Sequence, residues 1–218
     1  MRRLLLTHSL IVLYGGDLML KKAWPLLVFV LLIYTSAASA ESMTAAELIE
    51  KARADSREIE ELKKVMESPD RNLRLSAFEL MMNSDNSVYR ELAIEAGLSS
   101  TDNLLRSLAL KGTIFNMDAL YIDLSVDENA PEDAQKKARE MLGNEVPRLV
   151  IQLTSKNPEH DSMEVNANGR RGGAEVQGIN FVFKTSYRAG TLSLKDGAVL
   201  QGPVSINSIR FIGTAKLR

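Results

Sequence analysis

The chain has 218 residues, with 27 basic and 28 acidic side chains, two histidines and no cysteine. That length holds one ordinary domain or two small ones. Balanced charge argues against nucleic acid, whose affinity needs clustered Lys and Arg, and the missing cysteines and scarce histidines remove disulfide scaffolds, Cys–His nucleophiles and histidine metal centres.

In chain order, a semi-apolar segment from Leu4 to Tyr14 ends at Gly15-Gly16-Asp17, and Lys21-Lys22 then leads an apolar run from Ala23 to Tyr34, closed by Thr35-Ser36-Ala37-Ala38-Ser39-Ala40. Two cations, a short apolar core and a small-x-small ending are the parts of a secretory signal peptide, cleaved after Ala40. The core falls short of the roughly 20 apolar residues a membrane span needs. The pattern predicts residues 1–40 as a removable leader, with Met19 as the start of a compact basic n-region and residues 1–18 as an extension. Arg2-Arg3 offers a rival reading as a twin-arginine export signal, but the pair lies far from the main apolar core. Removing residues 1–40 takes four cations and one anion, moving the net charge from −1 to −4. The expected location is periplasmic or secreted, with no stable membrane span and no lipid-carrying cysteine in the product.

Thr44 and Glu47 form a capping box, and Met43 and Leu48 occupy the positions of a hydrophobic staple, so a helix starts here. Leu48, Ala52, Ile59, Leu62 and Met66 share one face. Asp55 with Glu58 is a second capping signal, leaving either one long helix or two short ones. A strict 16-residue repeat follows. Its aligned columns are Asp70/Asn86/Asp102, Leu73/Tyr89/Leu105, Arg74/Arg90/Arg106, Ala77/Ala93/Ala109, Phe78/Ile94/Leu110 and Met82/Leu98/Ile114. Each copy opens on a residue that caps a helix well, and about 12 helical residues joined by three or four loop residues force neighbouring helices to run antiparallel.

Residues 68–116 thereby resemble the HEAT and armadillo class of α-solenoid repeats, which share capped antiparallel helices, an alanine at the close-packing column and an arginine near the helix start. The copies are shorter than a standard unit, and the length favours a compact bundle over a curved superhelix. The resemblance implies protein interaction rather than catalysis. On a helical projection the arginine column falls inside the apolar arc. Arg74, Arg90 and Arg106 are therefore expected to be partly buried and paired, with the cap carboxylates Asp70 and Asp102 as partners in a structural ladder, because an unpaired buried charge is very costly. Antiparallel packing sends Arg90 to the opposite edge from Arg74 and Arg106, so the three do not form one anion site.

Leu120 to Val126 alternates as a strand or an extended connector. Pro131 to Leu142, with Gly143 just beyond, reads as a helix. From Arg148 onward glycine and β-branched residues dominate. Leu149 to Thr154, Ile179 to Thr185, Thr191 to Lys195, Ala198 to Gln201 and Ile209 to Lys216 read as strands, with Asn168-Gly169 and Asp196-Gly197 as hairpin turns. The expected fold class is α+β: N-terminal antiparallel helical-repeat hairpins over residues 41–145, then a small antiparallel β-sheet or sandwich of five to seven strands over residues 146–218.

Little of the sequence carries chemistry. Asp123, Ser125, Asp127, Glu128 and Asn129 imitate a calcium loop, but Glu128 replaces the required glycine and Ala134 the bidentate glutamate. Arg170-Arg171-Gly172-Gly173 places two cations at or near a loop tip, where freed amides and guanidiniums hold anions. Tyr187, Arg188 and Phe181 supply a flat apolar and cationic surface of the kind that contacts sugars. No cofactor motif and no nucleophile elbow are present; paired carboxylates remain the one open catalytic route. The expectation is an exported, non-enzymatic protein-binding adaptor or envelope accessory factor. The alternative is a carbohydrate or cell-wall glycan module using Arg170, Arg171, Tyr187 and Arg188.

Overall fold

A computed structural model describes residues 43–143 and 148–217. The leader read at residues 1–40, its cleavage point after Ala40 and the 145/146 domain boundary lie outside the described residues. The chain divides into two units, Met1–Glu50 and Lys51–Arg218. The described part of the first is the capped start of helix α1 (Ala45–Met66). There the Thr44 amide donates to Glu47 Oε2 at 2.7 Å and the Glu47 amide donates back to Thr44 Oγ1 at 3.3 Å. Asp55 and Glu58 do not break the helix: α1 is continuous, and Glu58 instead accepts a hydrogen bond from Tyr89, which pushes the phenol pKa up.

In the second unit, α2 (Arg71–Met82), α3 (Ser87–Ser99) and α4 (Asn103–Asn116) are the three repeat copies. Asp70, Asn86 and Asp102 cap them, each side chain accepting first-turn amides. Ala93 and Ala109 are fully buried at the close-packing column. The helices approach so tightly that a methyl added at Gly97 would collide with Ala109 and Phe78. Burial deepens along the repeat: the Leu73/Tyr89/Leu105 column runs from 46% exposed at Leu73 to 1% at Leu105.

The remainder is a closed barrel of eight antiparallel strands in simple meander order: β1 (Ala119–Val126), β2 (Arg148–Asn157), β3 (Ser162–Ala167), β4 (Arg170–Gln177), β5 (Asn180–Thr185), β6 (Arg188–Lys195), β7 (Val199–Ile206) and β8 (Ile209–Lys216). Helix α5 (Glu132–Leu142) is inserted between β1 and β2. This corrects the expectation of an open sheet or sandwich, while the α+β mixture holds. The physical reason lies in β1, the segment that reads as strand or connector: it pairs with β2 on one side and with β8 on the other, Asp123 opposite Thr214 and Val126 opposite Phe211. A sandwich keeps edge strands with unpaired amides and carbonyls; closure removes them.

Arg170 to Gly173 likewise belong to strand β4, paired with β3 and β5, rather than to a loop. The Asn168-Gly169 turn joins β3 to β4 with both residues at positive φ, as a tight two-residue hairpin requires. Asn207-Ser208 makes the same kind of turn between β7 and β8, at φ 49 and 67, without a glycine to signal it.

The inward residues of the staves fill the barrel. Leu120, Ile122, Ile151, Phe181, Phe183, Leu192, Leu200 and Phe211 are each at most 1% exposed, so the interior is a packed core. Gly202 allows the backbones of β6 and β7 to close up, since a side-chain carbon there would run into the Thr191 carbonyl. Many outward positions are polar or charged, including Asp123, Gln152, Glu164, Glu175, Lys184, Lys195 and Lys216, interspersed with apolar ones such as Tyr121, Val182 and Ile212, so the outer face is mixed rather than a continuous apolar band. No helix among the described residues is long and apolar enough to cross a membrane.

Candidate functional site

The barrel has two mouths, and different helices meet them. At the first, α4 is tied on by three polar contacts: Arg106 Nη2 donates to the Leu194 carbonyl at 2.9 Å, Lys156 Nζ donates to the Met117 carbonyl at 2.6 Å, and Lys111 pairs with Asp161. At the second, α5 lies against β1 and β8, with Ala138 buried beneath it. Strand direction fixes which residues face which mouth, so the Arg188 end of β6 and the Arg170 end of β4 both belong to the second.

The arginine column divides by function along the repeat. Arg74 Nη1 donates to the carbonyls of Ser68 at 2.6 Å and Pro69 at 3.2 Å, and its Nη2 lies 3.5 Å from Asp102. Arg90 donates to the Ser84 carbonyl, again six residues upstream. Arg106 breaks the pattern, reaching the barrel at Leu194 and lying 3.9 Å from Asp196. Asp102 takes Arg71 as well, at 2.7 Å. That hydrogen bond, with the Leu104 amide, holds the Asp102 carboxyl below the usual carboxylate range. The Asp70 carboxylate caps its own helix and pairs with none of the three guanidiniums. A further column also recurs every 16 residues: Ser68, Ser84 and Ser100 each accept, through Oγ, the amide of the cap residue two positions on.

Arg71 meeting Asp102 at the starts of α2 and α4, and Met82 lying against Gly112 near their ends, place these two helices side by side in the same sense. Between them and Pro158 runs a groove of about 680 Å³, lined by Leu75, Phe78, Met82, Leu108 and Phe115, with Lys111 also in its wall. Leu80, on α2 but outside the groove lining, is 74% exposed.

At the second mouth Arg170 lies over the Tyr187 ring, 5.2 Å from its centroid, a cation–π contact on an exposed tyrosine. Arg171 is exposed on β4. Arg188 turns away from both, donating through Nη1 to the Ala167 carbonyl at 3.0 Å. Phe181 is in the barrel core, with Phe183 at 6.1 Å between ring centroids. The calcium-like acids are bound to arginine: Asp123 to Arg148 at 2.7 Å and Asp127 to Arg210 at 2.8 Å. Arg148 also holds the Asp123 carboxyl below its ordinary value. Among the described residues, no three metal-ligating side chains converge. No family model matches the chain, and neither curated proteins nor solved structures supply a match.

Proposed function

We propose that the chain is an exported, non-enzymatic adaptor that seats an amphipathic helix of a partner protein in the groove between α2 and α4. The observation that carries this reading is the apolar floor of Leu75, Phe78, Met82, Leu108 and Phe115, left open between two parallel helices. The occupant's form follows from backbone chemistry. Barrel closure leaves no sheet edge for an added strand, and the groove walls are helices whose amides and carbonyls are already paired, so a partner must bring its own satisfied backbone. At 1.5 Å per residue the walls are roughly 20 Å long, matching about three to four turns of a docked helix. The basic, apolar and small-residue succession over Lys21–Ala40 supports the exported location.

A photoreactive side chain placed at Leu108 in the purified chain, incubated with envelope extract, tests the reading. Adducts are expected on a helical, apolar-faced segment of one protein, and a synthetic peptide of that segment is expected to bind the unmodified chain and to lose binding to Leu108→Glu. Labelling at Leu108 no stronger than at Thr191, on the barrel surface, overturns it. The glycan alternative rests on the exposed Arg170–Tyr187 pair; co-sedimentation with peptidoglycan that Tyr187→Ala abolishes would favour it over the groove.

A further inference from the structure

Arg188 occupies an inward-facing position of β6, in line with Gly190, Leu192 and Leu194, whereas the other staves bring mostly apolar side chains or glycine inward. Its guanidinium borders a pocket of about 160 Å³ at the second mouth, walled by Leu124, Leu149, Ile206, Phe211 and, from α5, Met141 and Leu142. A cation set among aliphatic side chains requires compensation, because removing it from water without a counter-charge is costly. Arg188 receives little. Its Nη1 has the Ala167 carbonyl, its Nε is closed off from solvent with no hydrogen-bond partner, and no carboxylate among the described residues pairs with it.

The neighbouring cations sharpen the contrast. Arg148, in the same pocket wall, is clasped through Nε and Nη2 by Asp123, and Arg210 is held by Asp127. Arg170 rests on Tyr187, and Arg171 has no acid partner among the described residues. Arg148 and Arg210 are therefore neutralised, while Arg188 is left positive in the pocket wall it shares with Arg148, in a field that favours anions.

We infer that this pocket is a binding site for a small aliphatic carboxylate, the carboxylate pairing with Arg188 and the tail lying against Leu124, Leu149, Ile206 and Phe211. Beyond Arg148, which Asp123 already clasps, the pocket wall offers Arg188 and Asn168; one planar guanidinium suits a carboxylate, whereas a phosphate dianion asks for more donors. The pocket of about 160 Å³ opens to solvent and is smaller than the roughly 300 Å³ at which drug-sized sites begin, so its enclosed part suits a short ligand of a few carbons. Butyrate has that size. The site is separate from the groove, so each reading stands or falls alone.

The test is titration of the purified, isotope-labelled chain with sodium butyrate, n-butanol and inorganic phosphate, followed by NMR. Expected is saturable one-to-one binding of butyrate, with the largest shifts at Phe211, Ile206 and Leu149, and at least about tenfold weaker binding of the other two probes, equivalent to 1.4 kcal/mol. Arg188→Gln, which keeps a donor for the Ala167 carbonyl, should weaken butyrate by a similar factor. Met141→Trp, half-exposed in the wild type, should block the pocket without altering the barrel's remaining resonances. Butyrate binding that survives both substitutions, or phosphate binding as tightly as butyrate, overturns the inference. So does the absence of saturable shifts in the wild type, which would leave Arg188 as a plug bonded to Ala167 alone.

Discussion

The repeat helices and the barrel solve the same problem, burying apolar side chains, with opposite degrees of completeness. Each barrel stave has a neighbour on both sides, and the inward residues of all eight fill one interior. The three repeat helices bury theirs progressively: Leu105 on α4 is enclosed, while Leu73 and Leu80 on α2 remain open. Closure makes a region self-sufficient, whereas an unfinished stack keeps a surface available. In this molecule the open apolar surface lies on the helices and the packed mass in the barrel.

The largest expected effect attacks that self-sufficiency. Phe181→Ala removes a ring from the sealed interior and should cost about 3–5 kcal/mol, whereas Leu80→Ala on α2 should stay within about 0.5 kcal/mol of the wild type; urea denaturation followed by circular dichroism reads both. Equal losses would erase the contrast. Arg106→Met tests the tie between the two regions. It removes the donor to the Leu194 carbonyl, and a loss of about 1–2 kcal/mol is expected; unchanged stability would reduce that contact to an incidental one.

Acid is the next, smaller lever, and it acts on the helices through Asp102. Its pKa is depressed in the folded chain by Arg71 and the Leu104 amide. The stabilisation is therefore fully present above the unfolded carboxylate value of about 3.9 and disappears as pH falls through the lower folded value. Wild type and Asp102→Asn should differ in denaturation midpoint at pH 6, and the difference should shrink as pH falls below the unfolded carboxylate value. The smallest effect has the opposite sign. Ser208 holds φ at 67 in the β7–β8 turn, so Ser208→Gly should raise stability by about 0.5–1 kcal/mol, visible as a shift of the thermal midpoint.

Local signals were enough to place the helices. Asp70, Asn86 and Asp102 announce helix starts because capping is a contact over two or three residues, and Thr44 with Glu47 does the same for α1. The Ser68/Ser84/Ser100 column is equally local and stands in the sequence in plain view. Closure of the barrel is not local. It depends on β1 finding β8 across most of the intervening chain, and nothing within residues 119–126 specifies that partner. β4 was hidden because its inward line begins with Arg170 and Gly172 and its outward line carries Arg171 and Gly173, so the expected alternation is blunted at its start. The β7–β8 hairpin was hidden because Asn207-Ser208 lacks the usual glycine. As for the pocket, Arg188 looks like any surface cation until the register of β6 turns it inward.

Joining β1 to β8 sets an order in time. The helices can condense from contacts a few residues apart as soon as they leave the ribosome. The barrel's seam must wait until the stretch from Ile209 to Lys216 has been made, and such long-range pairings form slowly. The barrel's last seam is thus closed only after nearly the whole chain has been made.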